Sequence, residues 1–185
     1  NQYHMRLDLL KKAKDLFARN FDELILTERK CLAGIPSKSD NNADKIDWKL
    51  FGSMVGRGDF KRQIICNNKH IAKAINSVPL NDCITKKVFD RYMKEFLKAF
   101  PGAKNPLAIA TRLLAIKRPD VFICVDSKNK KGLCKHYNIT QSRLNIGTYW
   151  DLLIKRIQDD IWFKEDVESE LKAYKVAMLD CLCYR

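Results

Sequence analysis

The chain has 185 residues, of which 46% are hydrophobic and 31% charged, with 7 glycines and 5 prolines. This length suits one folded domain with its own hydrophobic core, and the composition excludes a disordered, collagen-like or low-complexity chain. Lysine and arginine outnumber aspartate and glutamate by 35 to 22, which gives a net charge of +13. A charge of this size predicts an anionic partner, with nucleic acid ahead of an acidic membrane surface.

No stretch of the sequence comes near the roughly 18 successive apolar residues of a membrane span, and the N-terminal region lacks the hydrophobic core of a secretory signal. The seven cysteines and three histidines show no C-x-x-C pair or other metal-binding spacing. We therefore expect free thiols, a cytoplasmic protein, no membrane partner, no metal site and no cofactor. The chain begins with Asn1 rather than methionine, which is expected of a trimmed domain or a processed product.

Apolar residues recur at helical spacing along nearly the whole chain. We predict helices, in chain order, over residues 3–19, 22–33, 48–55, 59–65, 70–77, 85–100, 105–118, 149–161 and 167–178. The one strongly β-like run is VFICV, residues 121–125. A single short strand against this many helices predicts an all-α fold, a compact multi-helix domain with a helix-hairpin-helix-like motif.

The polar, turn-rich segment at residues 37–45 is the best candidate for a loop or a boundary. It separates an N-terminal helical segment, residues 1–36, from a helical core, residues 46–185, which carries the basic segment described next. We expect the two to form one compact unit.

The positive charge is concentrated in residues 101–150, which hold nine basic and two acidic residues, a net charge of +7. A turn at Pro101-Gly102 precedes the helix that Asn105 and Pro106 open. Backbone N–H groups at such a turn and helix start bind phosphate, and flanking lysines add counterion release. The segment therefore predicts a nucleic-acid interface, with a solvated basic surface as the alternative.

Two short motifs in this segment resemble the helix-hairpin-helix DNA glycosylases of the endonuclease III superfamily. They are Phe100-Pro101-Gly102, with the helix after it, and the later Val125-Asp126-Ser127. In that family a Leu-Pro-Gly-Val-Gly hairpin precedes a Val-Asp-Thr-His segment by a similar distance, and here Gly102 and Asp126 are 24 positions apart. The resemblance covers about residues 88–140.

The resemblance implies an activity and a set of site residues. The hairpin at 100–106 would bind the backbone of duplex DNA, and Asp126 would face the sugar of an extruded nucleotide. There its carboxylate would stabilise an oxocarbenium-like transition state or activate water, as in a DNA N-glycosylase that removes a damaged or modified base in DNA repair or defence. The implied DNA contacts are Pro101, Gly102, Lys104, Arg112, Lys128, Lys130, Lys131 and Lys135.

The sequence departs from the family pattern at three positions. Lys104 replaces the second hairpin glycine, Pro106 stands where some members carry a Schiff-base lysine, and Lys128 replaces the histidine of Val-Asp-Thr-His. The four-cysteine cluster of some members is absent as well. We therefore expect no lyase activity, and the removal of a base stays open beside DNA binding without catalysis.

Asp126 has further interpretations. An aspartate after an apolar run and before a polar helix is typical of an N-cap. Residues 121–128 also fit the hydrophobic strand and Asp-x-Lys half of a PD-(D/E)xK nuclease, in which carboxylates hold Mg²⁺ and the lysine orients the attacking water. A non-catalytic module with an RNA or protein partner is the remaining alternative.

Overall fold

Helices make up the regular secondary structure in the part of the chain that the computed structural model describes, residues 2–37, 46–165 and 169–183. Because these residues contain no strand, the predicted all-α fold is confirmed for them. The loop predicted at 37–45 lies outside the described residues, apart from Ser37.

The helices in chain order are α1 (Gln2–Leu16), α2 (Leu26–Leu32), α3 (Gly58–Ile65), α4 (Lys69–Asn76), α5 (Lys86–Phe96), α6 (Leu107–Lys117), α7 (Lys130–His136), α8 (Lys155–Asp159), α9 (Ile161–Lys164), α10 (Ser169–Lys172), α11 (Lys175–Met178) and α12 (Asp180–Cys183). A π-helical stretch, Tyr149–Ile154, runs directly into α8. The helix predicted over 167–178 is instead divided between α10 and α11. The backbone turns there towards another loop, and the Ala177 N–H donates to the Pro119 carbonyl (2.9 Å).

The single helix predicted over 22–33 is instead two elements, a 3-10 turn, Phe21–Glu23, and α2, separated by the extended backbone of Leu24 and Ile25. Helix α2 ends where the sequence predicts. The Ile35 N–H donates to the Lys30 carbonyl (3.0 Å) and the Gly34 N–H to the Cys31 carbonyl (3.0 Å), which is the Schellman pattern.

Helix α6 lies in the core, with nine of its eleven residues buried. Helix α5 packs against α4 and buries the apolar face that its periodicity predicts, including Phe89, Met93 and Phe96. A buried hydrogen bond also joins α5 to α6, from the Tyr92 hydroxyl to the Ala110 carbonyl (2.8 Å). The helix that carries the basic segment is therefore anchored along its length in the hydrophobic core.

The β-like run at 121–125 is buried but forms no strand. Side chains satisfy its backbone instead of a neighbouring strand. The Tyr149 hydroxyl accepts from the Ile123 N–H (3.1 Å) and donates to the Ile123 carbonyl (2.8 Å), and Thr111 Oγ1 accepts from the Val125 N–H (3.0 Å). The sheet that a PD-(D/E)xK nuclease needs is thus missing from the described residues.

The helix predicted at 48–55 is wrong, because these residues form a turn and a loop. Phe51 and Gly52 have positive φ angles of 62° and 95°, which no right-handed helix contains. The carbonyls of Trp48 (2.9 Å) and Gly52 (3.3 Å) instead accept hydrogen bonds from the buried Arg112 side chain. A tertiary contact therefore overrides the local helical spacing.

Lys117, the last residue of α6, is half-buried. Its Nζ donates to the Ile75 carbonyl (2.7 Å) and lies 5.6 Å from the centre of the Phe17 ring. Burial lowers the pKa of Lys117 to about 8, and the nearby positive charge of Arg118 acts in the same direction. Folding therefore disfavours the protonated amine, which the unfolded chain retains up to its ordinary pKa of 10.5.

We expect Lys117→Met to raise the unfolding temperature at about pH 7 and to raise it less at about pH 9.5. Below pH 8 the amine is protonated in the folded and in the unfolded protein, and the folded protein carries the full free-energy cost of removing this charge from water. Between the two pKa values the folded state binds fewer protons, so this group makes the wild type more stable as the pH rises. Circular dichroism melts of both proteins measure the effect, with the exposed Lys14→Met as control. An equal gain at both pH values would contradict the lowered pKa.

Candidate nucleic-acid interface

The turn predicted at Pro101-Gly102 is present, and residues 100–104, which contain it, are called the hairpin below. The Ala103 N–H closes a tight turn by donating to the Phe100 carbonyl (3.1 Å). Gly102 has a φ of +84°, and proline followed by a left-handed glycine is typical of a type II turn. Pro101, Gly102 and Lys104 are exposed. The turn therefore forms despite the lysine that replaces the second family glycine.

Asp126 caps the turn that leads into α7; residues 126–129 are called the Asp126 turn below. Its Oδ1 accepts from the backbone N–H groups of Lys128 (2.8 Å) and Asn129 (3.0 Å). In return, Asn129 Oδ1 accepts from the Asp126 N–H (3.0 Å), a reciprocal pattern like that of a capping box. Asp126 therefore caps this turn through its side chain, whereas the N-cap residue of α7 itself is Asn129.

The second carboxylate oxygen of Asp126 is not part of the cap. Oδ2 accepts no hydrogen bond from the described residues. It lies towards the loop at 48–52, 3.4 Å from the position that a β-carbon on Gly52 would occupy. The side chain is half-buried. One carboxylate oxygen thus holds the backbone, while the other takes no part in the cap.

Thr111 connects the hairpin end of α6 with the chain just before the Asp126 turn. Its Oγ1 donates to the Leu107 carbonyl (2.7 Å) and accepts from the Val125 N–H (3.0 Å). Leu107 begins α6 directly after the hairpin, so this pair of hydrogen bonds places the chain just before the Asp126 turn beside the N-terminal half of that helix. Both motifs of the family resemblance are thus attached to α6, one by the chain and the other by the Thr111 side chain.

A buried polar network lies behind the Asp126 turn. Asn129 Nδ2 donates to the Cys124 carbonyl (2.7 Å) and to Asp180 Oδ1 (2.6 Å), and Arg6 donates to Asp180 Oδ2 (3.2 Å). Burial raises the pKa of Asp180, while the contacts with Asn129 and Arg6 oppose this shift. Sequence reasoning missed these three residues, because Arg6 and Asp180 are 174 positions apart and no local spacing joins them.

The lysines predicted after Asp126 do not form a single surface. Lys128, Lys131 and Lys135 are exposed and line a cleft of about 600 Å³ beside α7. Lys130 is half-buried and is not among the lining residues. It lies near Cys134. Burial raises the pKa of the Cys134 thiol, and the positive charge of Lys130 opposes part of this shift. The cleft lysines and Lys130 therefore belong to different sides of the helix.

The prediction that Arg112 contacts DNA is wrong, because its side chain is 0% exposed. The guanidinium lies in the core, where burial lowers its pKa to about 10. Its five N–H donors are all directed at backbone carbonyls, those of Cys31, Leu32, Trp48, Leu50 and Gly52. Arg112 therefore holds the end of α2 and the loop at 48–52 against α6.

Comparisons of this chain with known proteins return no match to a family model, to a curated protein or to a solved structure. The resemblance to the helix-hairpin-helix glycosylases therefore depends on the residues quoted for it and stays a prediction. None of the helices in the described part of the chain has the length and apolar character that a membrane crossing needs.

Proposed function

We propose that the protein binds duplex DNA with the hairpin and the Asp126 turn. The observation that carries this proposal is the pair of hydrogen bonds through Thr111, which ties the chain before the Asp126 turn to the first part of α6, the helix that follows the hairpin. Lys104, Lys128 and Lys131 are exposed on these loops and the helix start that follows, and such cations gain affinity by releasing counterions from DNA. These are also the two loops to which the glycosylase resemblance assigns the DNA backbone and the nucleotide sugar.

In this proposal Asp126 has a structural and a chemical role. Oδ1 fixes the turn, as the two short contacts with backbone N–H groups show. Oδ2 faces the sugar of the bound nucleotide, where a negative charge stabilises the positive charge that develops as a base leaves. The chemical step is hydrolysis of the bond between sugar and base: water adds to C1′ of the sugar, and the damaged or modified base leaves with a proton.

DNA binding without catalysis is the second candidate function. It is favoured by the capping hydrogen bonds of Asp126, which give this carboxylate a sufficient structural reason to be an aspartate. The hairpin and the exposed lysines serve both candidates equally. The chemistry at Asp126 is therefore the point on which an experiment separates them.

The proposal predicts that Lys104→Gln and Lys128→Gln each weaken duplex binding and each lower the salt dependence by about one counterion. Fluorescence anisotropy with a labelled duplex between about 50 and 200 mM salt measures both effects. The matched control is Lys87→Gln, an exposed lysine of α5, which we expect to bind as the wild type does. An affinity that does not change with salt would contradict any nucleic-acid partner.

The wild type, the two lysine variants and a separate Asp126→Asn variant are then incubated with duplexes that carry different damaged or modified bases. Each incubation is done with and without Mg²⁺. Asparagine caps a turn about as well as aspartate, so we expect this variant to keep its fold and its DNA affinity. Loss of base release by Asp126→Asn at unchanged DNA affinity supports excision. A wild type that releases no base supports binding without catalysis, and strand cleavage that requires Mg²⁺ would contradict both candidates.

A further inference from the structure

The cleft beside α7 has walls of opposite character. Helices α7 and α12 approach so closely that a β-carbon on Gly132 would lie 2.7 Å from the Cys183 carbonyl oxygen. Where the helices diverge, the cleft of about 600 Å³ is lined by Lys128, Lys131 and Lys135 on the α7 side and by Leu182 and Cys183 on the α12 side. Its volume lies within the range of small-molecule sites.

One wall of the cleft is almost entirely positively charged. The three lysines and His136 face the same concavity. Asp160 reaches its rim, where the carboxylate lies 3.8 Å from His136 Nε2. No described carboxylate forms an ion pair with Lys131 or Lys135. The ammonium groups of Lys131 and Lys135, held in one concavity, repel each other, and an anion with more than one negative charge relieves this repulsion best.

The opposite wall is apolar and open to solvent. Leu182 is 76% exposed, more than any other large hydrophobic side chain of the described residues. An apolar side chain this exposed at the edge of a basic cleft fits a ligand that carries an organic group next to its charge. A nucleoside monophosphate has both parts, a phosphate with nearly two negative charges at neutral pH and a base with an apolar face.

We propose that this cleft binds the phosphate monoester of a nucleotide, with the phosphate against Lys131 and Lys135 and the base against Leu182. The shared chemistry occurs in a free nucleotide and at the phosphorylated end of a DNA strand. A phosphodiester inside the duplex carries only one charge, so the cleft would separate strand ends from the backbone. The strand-end source depends on the proposed function, because it requires DNA binding by the same region.

The first test uses deoxyadenosine 5′-monophosphate, deoxyadenosine and inorganic phosphate as separate probes, without DNA. Chemical shifts of backbone amides, including that of Gly132, report binding. We expect the monophosphate to bind, the nucleoside to bind at least about tenfold more weakly, and the double variant Lys131→Gln/Lys135→Gln to lose about tenfold in affinity. The control Lys87→Gln is expected to stay within about twofold of the wild type.

Leu182→Ser examines the apolar wall separately. We expect it to weaken the monophosphate and to leave the binding of inorganic phosphate unchanged, because only the nucleoside part contacts this residue. Equal binding of nucleoside and monophosphate would overturn the proposed site, as would wild-type affinity of the double lysine variant. Both variants change exposed side chains, so circular dichroism should show an unaltered fold.

The second test compares one labelled duplex with 5′-phosphate ends and with 5′-hydroxyl ends. Tighter binding of the phosphorylated duplex by about fivefold, lost in the double lysine variant, assigns the site to strand ends. Equal binding of the two duplexes, with the monophosphate still bound, assigns it to a free nucleotide. A protein that binds the monophosphate but no duplex refutes the proposed function and leaves this site in place. Failure to bind either phosphate monoester overturns the site, while internal duplex binding can still hold.

Discussion

The Arg112→Met variant is expected to lose about 3 to 5 kcal/mol of unfolding free energy, enough to unfold a marginally stable domain. The guanidinium donates to five carbonyls that come from the end of α2 and from the loop at 48–52. Methionine fills a similar volume but donates no hydrogen bond. Five carbonyls would therefore lose this hydrogen bond together, and two segments would lose their attachment to α6.

Arg112→Lys is the matched control for charge. It keeps the positive charge but reaches fewer of the carbonyls, so we expect a loss of stability between those of the wild type and the methionine variant. Urea unfolding followed by circular dichroism measures all three proteins. If the methionine variant has wild-type stability but reduced DNA affinity, Arg112 contacts DNA as the sequence predicted. That result would contradict its place in the core.

The second large effect is expected for Gly52→Ala, at about 2 to 4 kcal/mol of destabilisation. The φ of Gly52 is +95°, which is unfavourable for any residue with a β-carbon. The added carbon would also lie 2.7 Å from the buried Cys124 Sγ and 3.4 Å from Asp126 Oδ2. Backbone strain and overpacking therefore add up, and the loop is forced away from the Asp126 turn.

Gly56→Ala is the control for this prediction, since Gly56 lies in the same loop and an added β-carbon there meets nothing within 4 Å. We expect its unfolding temperature to stay close to that of the wild type. Gly102→Ala separates the two causes, because Gly102 has a positive φ but open surroundings, and strain alone costs about 1 kcal/mol. Equal melting temperatures for the Gly52 and Gly56 variants would contradict the close approach.

The sequence predicted helices well where burial follows a regular period. The spacing of Phe89, Met93 and Phe96 predicted α5, and proline followed by glycine predicted the turn at Gly102. Both depend on neighbours within a few positions, which a single sequence displays. The prediction of Asp126 as a capping residue belongs to the same class, because its partners are two and three residues away.

Contacts between distant segments could not be predicted in this way. Arg112 was assigned to the surface because charged side chains are mostly exposed, whereas its acceptors are carbonyls 60 to 81 positions earlier in the chain. A carbonyl is present at every residue and leaves no signal in the sequence. The buried pair of Arg6 and Asp180 is concealed for the same reason, since neither residue has a distinctive local pattern.

The network of Arg6, Asn129 and Asp180 has a consequence for the order in which the protein matures on the ribosome. A nascent chain that has emerged as far as α8 already contains the hairpin and the lysines of α7, but not the carboxylate that accepts from Asn129 and Arg6. The candidate interface would then lack its support until Asp180 has been translated. We therefore expect this support of the candidate interface to form only once Asp180 has been translated, when most of the hydrophobic core described above is already available to fold.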